Sequence, residues 1–264
     1  MLYYPQLISG SVCQFPVVRR AESRTIANEL LGGSVAKMAD RGAAVVRWQL
    51  SYTNMTDAEW NSIQQLFESA EGRLSTFTFL DPTDNLLTWS EDWTQSTWAA
   101  DPLLSVSEGI QDPAGANGAI QVTNQSQTTQ RIVQTIEGPS WFQYCFSVFV
   151  RSEIPSTAQL VIATSGQESL QTVQTDGVWR RVTTAGRLSA SEGTVSFGVQ
   201  LPPGARLCVF GAQVEAQPAA GSYKKTTDRG GVYSSTRFDS DSLTRTAEGP
   251  GRNSCVVSLV AKLC

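Results

Sequence analysis

The chain contains no histidine in 264 residues. This removes Ser-His-Asp and Cys-His catalysis, which depend on imidazole to carry a proton, and with it the commonest zinc ligand. The five cysteines, Cys13, Cys145, Cys208, Cys255 and Cys264, are far apart and odd in number, with no C-x-x-C pair. They read as reduced, mostly buried small apolar residues. No apolar run approaches the roughly 20 residues that cross a bilayer, so membrane insertion is not expected. The first ten residues lack both a basic start and a long apolar core, so synthesis and use on the cytoplasmic side, without a secretory signal, are expected. Positive charge is also scarce. The net charge is −4 and the basic clusters are only the pairs Arg19-Arg20, Arg180-Arg181 and Lys224-Lys225, which argues against a nucleic-acid partner.

What is present is most legible between residues 45 and 82. Val46, Trp48, Leu50 and Tyr52 alternate with Val45, Arg47, Gln49 and Ser51, the period of a strand with one buried and one wetter face. Thr56 and Glu59 form a T-x-x-E capping box at the start of a helix over 56–70. Trp60, Ile63, Leu66 and Phe67 supply its apolar side, and Gly72 is placed to end it in a left-handed conformation. Phe77 and Phe79 share a face of the next strand, which Asp81-Pro82 stops. Upstream, Cys13, Phe15 and Val17 alternate as in a short strand, while Leu30-Leu31-Gly32-Gly33 and Asp40-Arg41-Gly42 read as turns.

From Asn85 to about Gly221 no helix is legible. Short apolar stretches separated by Gly, Pro, Asn and Ser suggest a β-sandwich, with strands at 120–123, 130–136, 142–151, 158–163, 179–185, 194–200 and 207–215. In the third, Phe142, Tyr144, Phe146, Val148 and Val150 lie on one face and Cys145, Ser147, Phe149 and Arg151 on the other. Residues 232–238 and 254–263 are again strands. Forty residues with two or three strands cannot bury a core alone, so they are expected to complete the unit begun at residues 45–82. The expected fold is therefore mainly β: a split β-barrel domain (1–84 and 222–264) with one packed α-helix, interrupted by an inserted β-sandwich, or jelly roll (85–221).

Two resemblances accompany this reading. The run Asn85-Leu86-Leu87-Thr88-Trp89-Ser90-Glu91-Asp92-Trp93 with Trp98, then Phe146–Arg151, Val178-Trp179-Arg180-Arg181-Val182, Phe210-Gly211-Ala212-Gln213-Val214-Glu215 and Ser222-Tyr223, resembles the carbohydrate-binding-module-like jelly rolls of bacteriophage tail and head-fibre proteins. Lys224-Lys225 stands where that pattern has Ile-Pro. The strand ending in W-x-L-x-Y, the T-x-x-E-W helix and G-R-x-S-x-F-x-F-x-D-P are similar to the N-terminal region of phage distal tail and minor tail proteins. This second resemblance implies a non-enzymatic virion tail protein made in the host bacterial cytoplasm. It would be a homo-oligomeric ring, most often a hexamer, joining the tail tube protein to a baseplate hub or tip protein. The inserted module would display a site for a host-surface glycan. A free carbohydrate-binding adhesin is the alternative.

Sugar sites combine flat aromatic faces with a few polar groups, which makes Trp141, Trp93, Trp98 and Tyr144 the candidates. Trp141 follows Gly138-Pro139-Ser140 and is the one expected at the surface. Tyr144 and Trp179 lie on core-like strand faces, and Trp89 and Trp93 match positions that anchor the first strand in the resembling modules. Hydrolysis of a glycoside needs two flanking carboxylates. Asp92, Glu108, Asp112, Glu137, Glu153, Glu168 and Glu215 are available, but their spacing selects no pair. No cofactor is expected beyond a structural calcium of the kind such jelly rolls hold, for which Asp92 and Glu215 are the oxygen ligands to examine.

Overall fold

The computed structural model describes residues 1–263 and, for Arg41, the backbone alone; Cys264 lies outside the described residues. The architecture is mainly β and divides into two compact units, one of residues 1–8, 13–79 and 233–264, the other of residues 9–12 and 80–232.

The first unit is built on one sheet. Its strands are β1 (Val17–Glu29), β2 (Val35–Met55), β3 (Phe77–Leu80), β14 (Val232–Phe238), β15 (Thr246–Gly249) and β16 (Arg252–Lys262), in the order β1-β2-β16-β14-β3 with β15 paired to β16. The sheet is open, with β1 and β3 at its ends, where a barrel was expected. Strand β2 pairs antiparallel with β16, and the register places Tyr52 opposite Cys255, Leu50 opposite Val257 and Trp48 opposite Leu259. These side chains are buried and share one face. Against them packs helix α1 (Asp57–Ser69), with Trp60, Ile63 and Leu66 inward. Edge-to-face aromatic contacts knit the core: Trp48 meets Phe79 at 5.0 Å and Tyr233 at 4.8 Å, and Phe67 meets Phe238 at 5.0 Å.

The capping box forms as the sequence implies. Glu59 N–H donates to Thr56 Oγ1 at 3.2 Å and Thr56 N–H donates to Glu59 Oε2 at 2.9 Å. Burial pushes the Glu59 carboxyl upward, but hydrogen bonds from Thr56 and the Ile8 N–H outweigh it and hold the group below its usual range. The helix ends one residue earlier than Gly72 implies: after the C-cap Ala70, Glu71 takes the left-handed conformation at φ +51, and the N–H of Gly72, itself at φ +64, returns to the Phe67 carbonyl at 3.0 Å.

The N-terminal third differs from expectation. Cys13 and Phe15 are not in a strand, and Asp40-Arg41-Gly42 lies inside β2 rather than in a turn. Residues 17–55 form one long hairpin that turns at Leu30–Ser34, where Leu30 N–H reaches the Ser34 carbonyl at 2.8 Å. Between Ser23 and Ala39 every residue except Ile26 is exposed, Met38 at 65%. This distal half of the hairpin is a two-stranded arm, bare on both faces.

The second unit is a sandwich of two five-stranded sheets. One has the order β10 (Glu168–Thr175), β9 (Ser156–Ala163), β12 (Thr194–Leu201), β7 (Gln130–Glu137), β4 (Trp98–Ala100). The other has the order β11 (Arg180–Gly186), β8 (Tyr144–Arg151), β13 (Arg206–Glu215), β6 (Ala119–Asn124), β5 (Leu104–Ile110). Phe146 and Tyr144 of β8 meet Phe197 of β12 between the sheets. Gly198 explains its own presence: a Cβ there would lie 2.0 Å from the Ile132 carbonyl oxygen of the adjacent strand. Residues 222–231 stay with this unit, where Thr226 Oγ1 donates to the Leu87 carbonyl and Thr226 N–H to Ser90 Oγ.

Candidate functional site

The sequence-derived aromatic candidates separate into inside and outside. Trp93 and Trp98 are 2% and 5% exposed and stack on each other at 4.1 Å and 9°. Their indole N–H groups are both satisfied, by the carbonyls of Ser90 (3.3 Å) and Trp89 (3.1 Å). Tyr144 is 0% exposed and donates its hydroxyl to the Pro139 carbonyl at 3.0 Å. These three are buried in the sandwich and present no face to a ligand: Tyr144 lies on the strand face that the two sheets bury, and Trp93, on the turn before β4, is covered with Trp98 as its stacking partner. Trp141 is 44% exposed, on the turn before β8, edge-on to the buried Phe142.

The expected calcium ligands are engaged otherwise. Glu215 is buried and accepts from Gly221 N–H (2.7 Å), Lys224 Nζ (3.1 Å) and Gln217 Nε2 (3.2 Å), so a lysine already neutralises it. Asp92 accepts from Thr94 Oγ1 (2.6 Å), Thr94 N–H (3.1 Å) and Gln95 Nε2 (2.7 Å). Burial raises its pKa, but these bonds prevail and hold it below the usual carboxylate value. Among the described residues no group of three or more Cys, Asp or Glu is arranged to hold a metal. Two further carboxylates serve local structure. Asp112 gathers the N–H groups of Ala114, Ala116 and Gly118 in the loop before β6, and Glu168 pairs with Arg131.

The outward face of the β11-β8-β13-β6-β5 sheet contains a site that the aromatic search missed. Cross-strand registers define a row on it: Arg151 of β8 opposite Cys208 of β13, Cys208 opposite Gln121 of β6, and Gln121 opposite Ser107 of β5. Continuing the β11–β8 register by one residue brings Trp179 beside Arg151, and the guanidinium carbon lies 5.1 Å from the indole centroid. Trp179 is itself held by its indole N–H, which donates to the Gln111 carbonyl at 3.2 Å. Five neighbouring strands at about 4.8 Å spacing give the row a length of roughly 19 Å.

The next row holds Arg181, Phe149 and Phe210, all half-buried, with Tyr223 packed edge-on to Phe149 at 6.3 Å. Arg181 donates to the Gly221 carbonyl (2.6 Å) and Ser147 Oγ (2.9 Å) and lies over the Phe149 ring. Arg151 makes no hydrogen bond through its side chain, and neither arginine is paired with a carboxylate among the described residues. The Nε of each is buried without a partner. A buried polar group left unpaired costs free energy, so two on one face mark it as unusual.

Clefts also lie elsewhere among the described residues. One of about 540 Å³ in the first unit is lined by Ser51, Thr53, Ser254, Ser258 and Val256 among others and contains no charged side chain. Another of about 480 Å³, at one end of the sandwich, is lined by Glu153, Ile154, Pro155, Pro202, Pro203 and Arg206 among others.

Sheet order and packing define the second unit as a jelly-roll-like β-sandwich. No family of known sequences matches the chain, and no curated protein matches it. Solved structures resemble about half of it. The tandem CBM22 modules of Paenibacillus barcinonensis Xyn10C are 13% identical, covering 57% of this chain and 50% of that one at a TM-score of 0.43. The C-terminal family 22 carbohydrate-binding module of Clostridium thermocellum Xyn10B is 14% identical, covering 53% and 99% at 0.42. The enzymatically active domain of bacteriophage CBA120 tailspike protein 4 is 6% identical, covering 52% and 22% at 0.37.

Proposed function

We propose that the chain is a non-enzymatic structural subunit of a phage tail, of distal-tail type. Its first unit joins copies of itself into a ring, and its sandwich offers a face for a glycan. The observation that carries the assembly reading is the bare arm of residues 23–39. A two-stranded ribbon is marginal in water by itself, and this one exposes Leu30 and Leu31 at its turn and Val35 and Met38 along a strand with an open backbone edge. A neighbouring copy that covered the arm would satisfy both needs. Heterologous contacts that close by rotation make a ring. The W-x-L-x-Y strand and T-x-x-E-W helix, which resemble the distal tail family, support the same reading.

Light scattering on the purified protein should give a defined multiple of 28.6 kDa, and electron microscopy a ring with a central hole. Met38→Glu together with Leu31→Glu should shift the protein to monomer with the sandwich still folded. A monomer at every concentration would sink the assembly reading. A free sugar-binding adhesin is the second reading, favoured by the polar row at Trp179 and Arg151. Glycan binding by a monomer, abolished by Trp179→Ala, would make it the better account.

A further inference from the structure

We infer that the row beginning at Trp179 and Arg151 is an anion-reading site for an acidic glycan, one whose sugar rings carry carboxylates. The inference rests on the sugar-binding part of the reading above and specifies its ligand.

Arg151 lacks the partners that a guanidinium on a sheet face ordinarily has. Its guanidinium carbon lies over the Trp179 ring, 5.1 Å from the centroid, yet its side chain has no hydrogen-bond partner and no counter-ion among the described residues. Its Nε is buried and unpaired, whereas its two terminal nitrogens are not among the buried unpaired atoms, so they reach solvent. A guanidinium is planar and pre-organised, so it loses less freedom per hydrogen bond than a flexible lysine would, and its fork matches a carboxylate through two parallel hydrogen bonds.

The surroundings suit a sugar better than a bare anion. Gln121 and Ser107, on the same row, offer amide and hydroxyl groups of the kind that pair with sugar hydroxyls, and Phe149 and Phe210 form a half-buried apolar floor one row away. The second arginine, Arg181, adds positive charge with no carboxylate against it. A neutral polysaccharide would leave the Arg151 fork unpaired and desolvated. An acidic one pairs it.

The test is calorimetric titration of the full chain with oligomers of galacturonate, glucuronate, mannuronate and sialate, each beside its neutral methyl ester. Sulfated and phosphate-linked oligosaccharides provide two further arms. At least one carboxylated oligomer should bind ten-fold or more tighter than its ester. Arg151→Lys, which keeps the charge and loses the fork, should reduce that affinity by about ten-fold, and Arg151→Leu by more, with melting temperatures unchanged. Equal binding of acid and ester that Trp179→Ala abolishes would overturn the carboxylate inference and leave the sugar reading standing. Tighter binding of the sulfated or phosphate-linked oligomers than of every carboxylated one would overturn it too. Absence of binding by every oligomer would overturn both the inference and the sugar reading.

Discussion

The sandwich holds two pairs built around tryptophan, and they differ in what becomes of their polar edges. Trp93 and Trp98 stack ring on ring, and each indole N–H ends on a backbone carbonyl three or nine residues away. Arg151 places its guanidinium carbon over the Trp179 ring. There the tryptophan N–H is satisfied and the arginine is not. The first pair is complete within the chain and buries its faces, which is what a structural anchor does. The second keeps unsatisfied donors at the surface of a sheet. Aromatic content is the same kind of evidence in both, so the accounting of hydrogen bonds is what separates anchor from site.

The largest expected effect breaks the first pair. Trp98→Ala or Trp93→Ala removes a buried ring and leaves a cavity, which should cost about 3–5 kcal/mol, read as a shift of the urea midpoint of the sandwich transition. If either substitution cost less than about 1 kcal/mol, a value ordinary for surface positions, the pair would not be the anchor described here.

A smaller loss is expected from Glu215→Ala. It deprives Gly221 N–H and Gln217 of their acceptor and leaves Lys224 without its partner. Lys224 is about one-third exposed, so water softens the loss of the ion pair, and about 1–2 kcal/mol is expected, chiefly from the half-buried Gly221 N–H left without an acceptor. Calcium should not change the midpoint of the parent protein. Stabilisation by calcium that Glu215→Ala abolished would restore the metal reading.

A pH-dependent effect compares the two units directly. Burial raises the Cys145 thiol of the sandwich to about 11, with a contribution from the Glu215 carboxylate opposed by Arg181, and burial raises the Cys255 thiol of the first unit to about 11. Both folded values lie above the unfolded thiol's value of roughly 8.5. The unfolded chain therefore loses these protons first. The stability they confer is complete below about pH 8.5 and declines as the pH rises towards 11. Thermal melts in a phosphine reductant from pH 8 to 11 should fall for both units, and Glu215→Gln should weaken the fall for the sandwich only. Rapid reaction of either thiol with an alkylating agent at pH 8 would contradict the burial that drives the shift.

What was legible in the sequence follows the same division between closed and open surfaces. Strands β6, β7, β8, β9, β12 and β13 each bury at least one face, and their apolar stretches between turn residues marked them to within two residues. Strand β10, at a sheet edge, is mostly exposed along Glu168–Thr175, and β5 buries none of Leu104–Ile110 fully, so neither carries a period to find. Strand β1 was illegible for the same reason: it alternates only between half-exposed and exposed positions. At the site, the sequence placed Arg151 on the face opposite Tyr144 but not beside Trp179, because that neighbourhood depends on a register between strands nearly thirty residues apart. Of the favoured aromatics, Tyr144 lies on an apolar strand face, which is what a sandwich buries, while Trp93 and Trp98 bury their faces against each other.

The smallest expected effect sharpens the comparison most. Arg151→Leu removes a cation–π contact worth about 0.5–1 kcal/mol at an exposed position. It also removes a buried Nε that has no partner, and relieving that penalty offsets the loss. The net change in stability should be under about 1 kcal/mol, in either direction, against the several expected for Trp98→Ala. A destabilisation of about 3 kcal/mol or more, the range for breaking a buried charge pair, would mean that Arg151 has a structural partner. The two pairs would then be of one kind, and the unsatisfied guanidinium would no longer mark a site. Near-neutrality would leave Arg151 on the sheet face for some reason other than the fold.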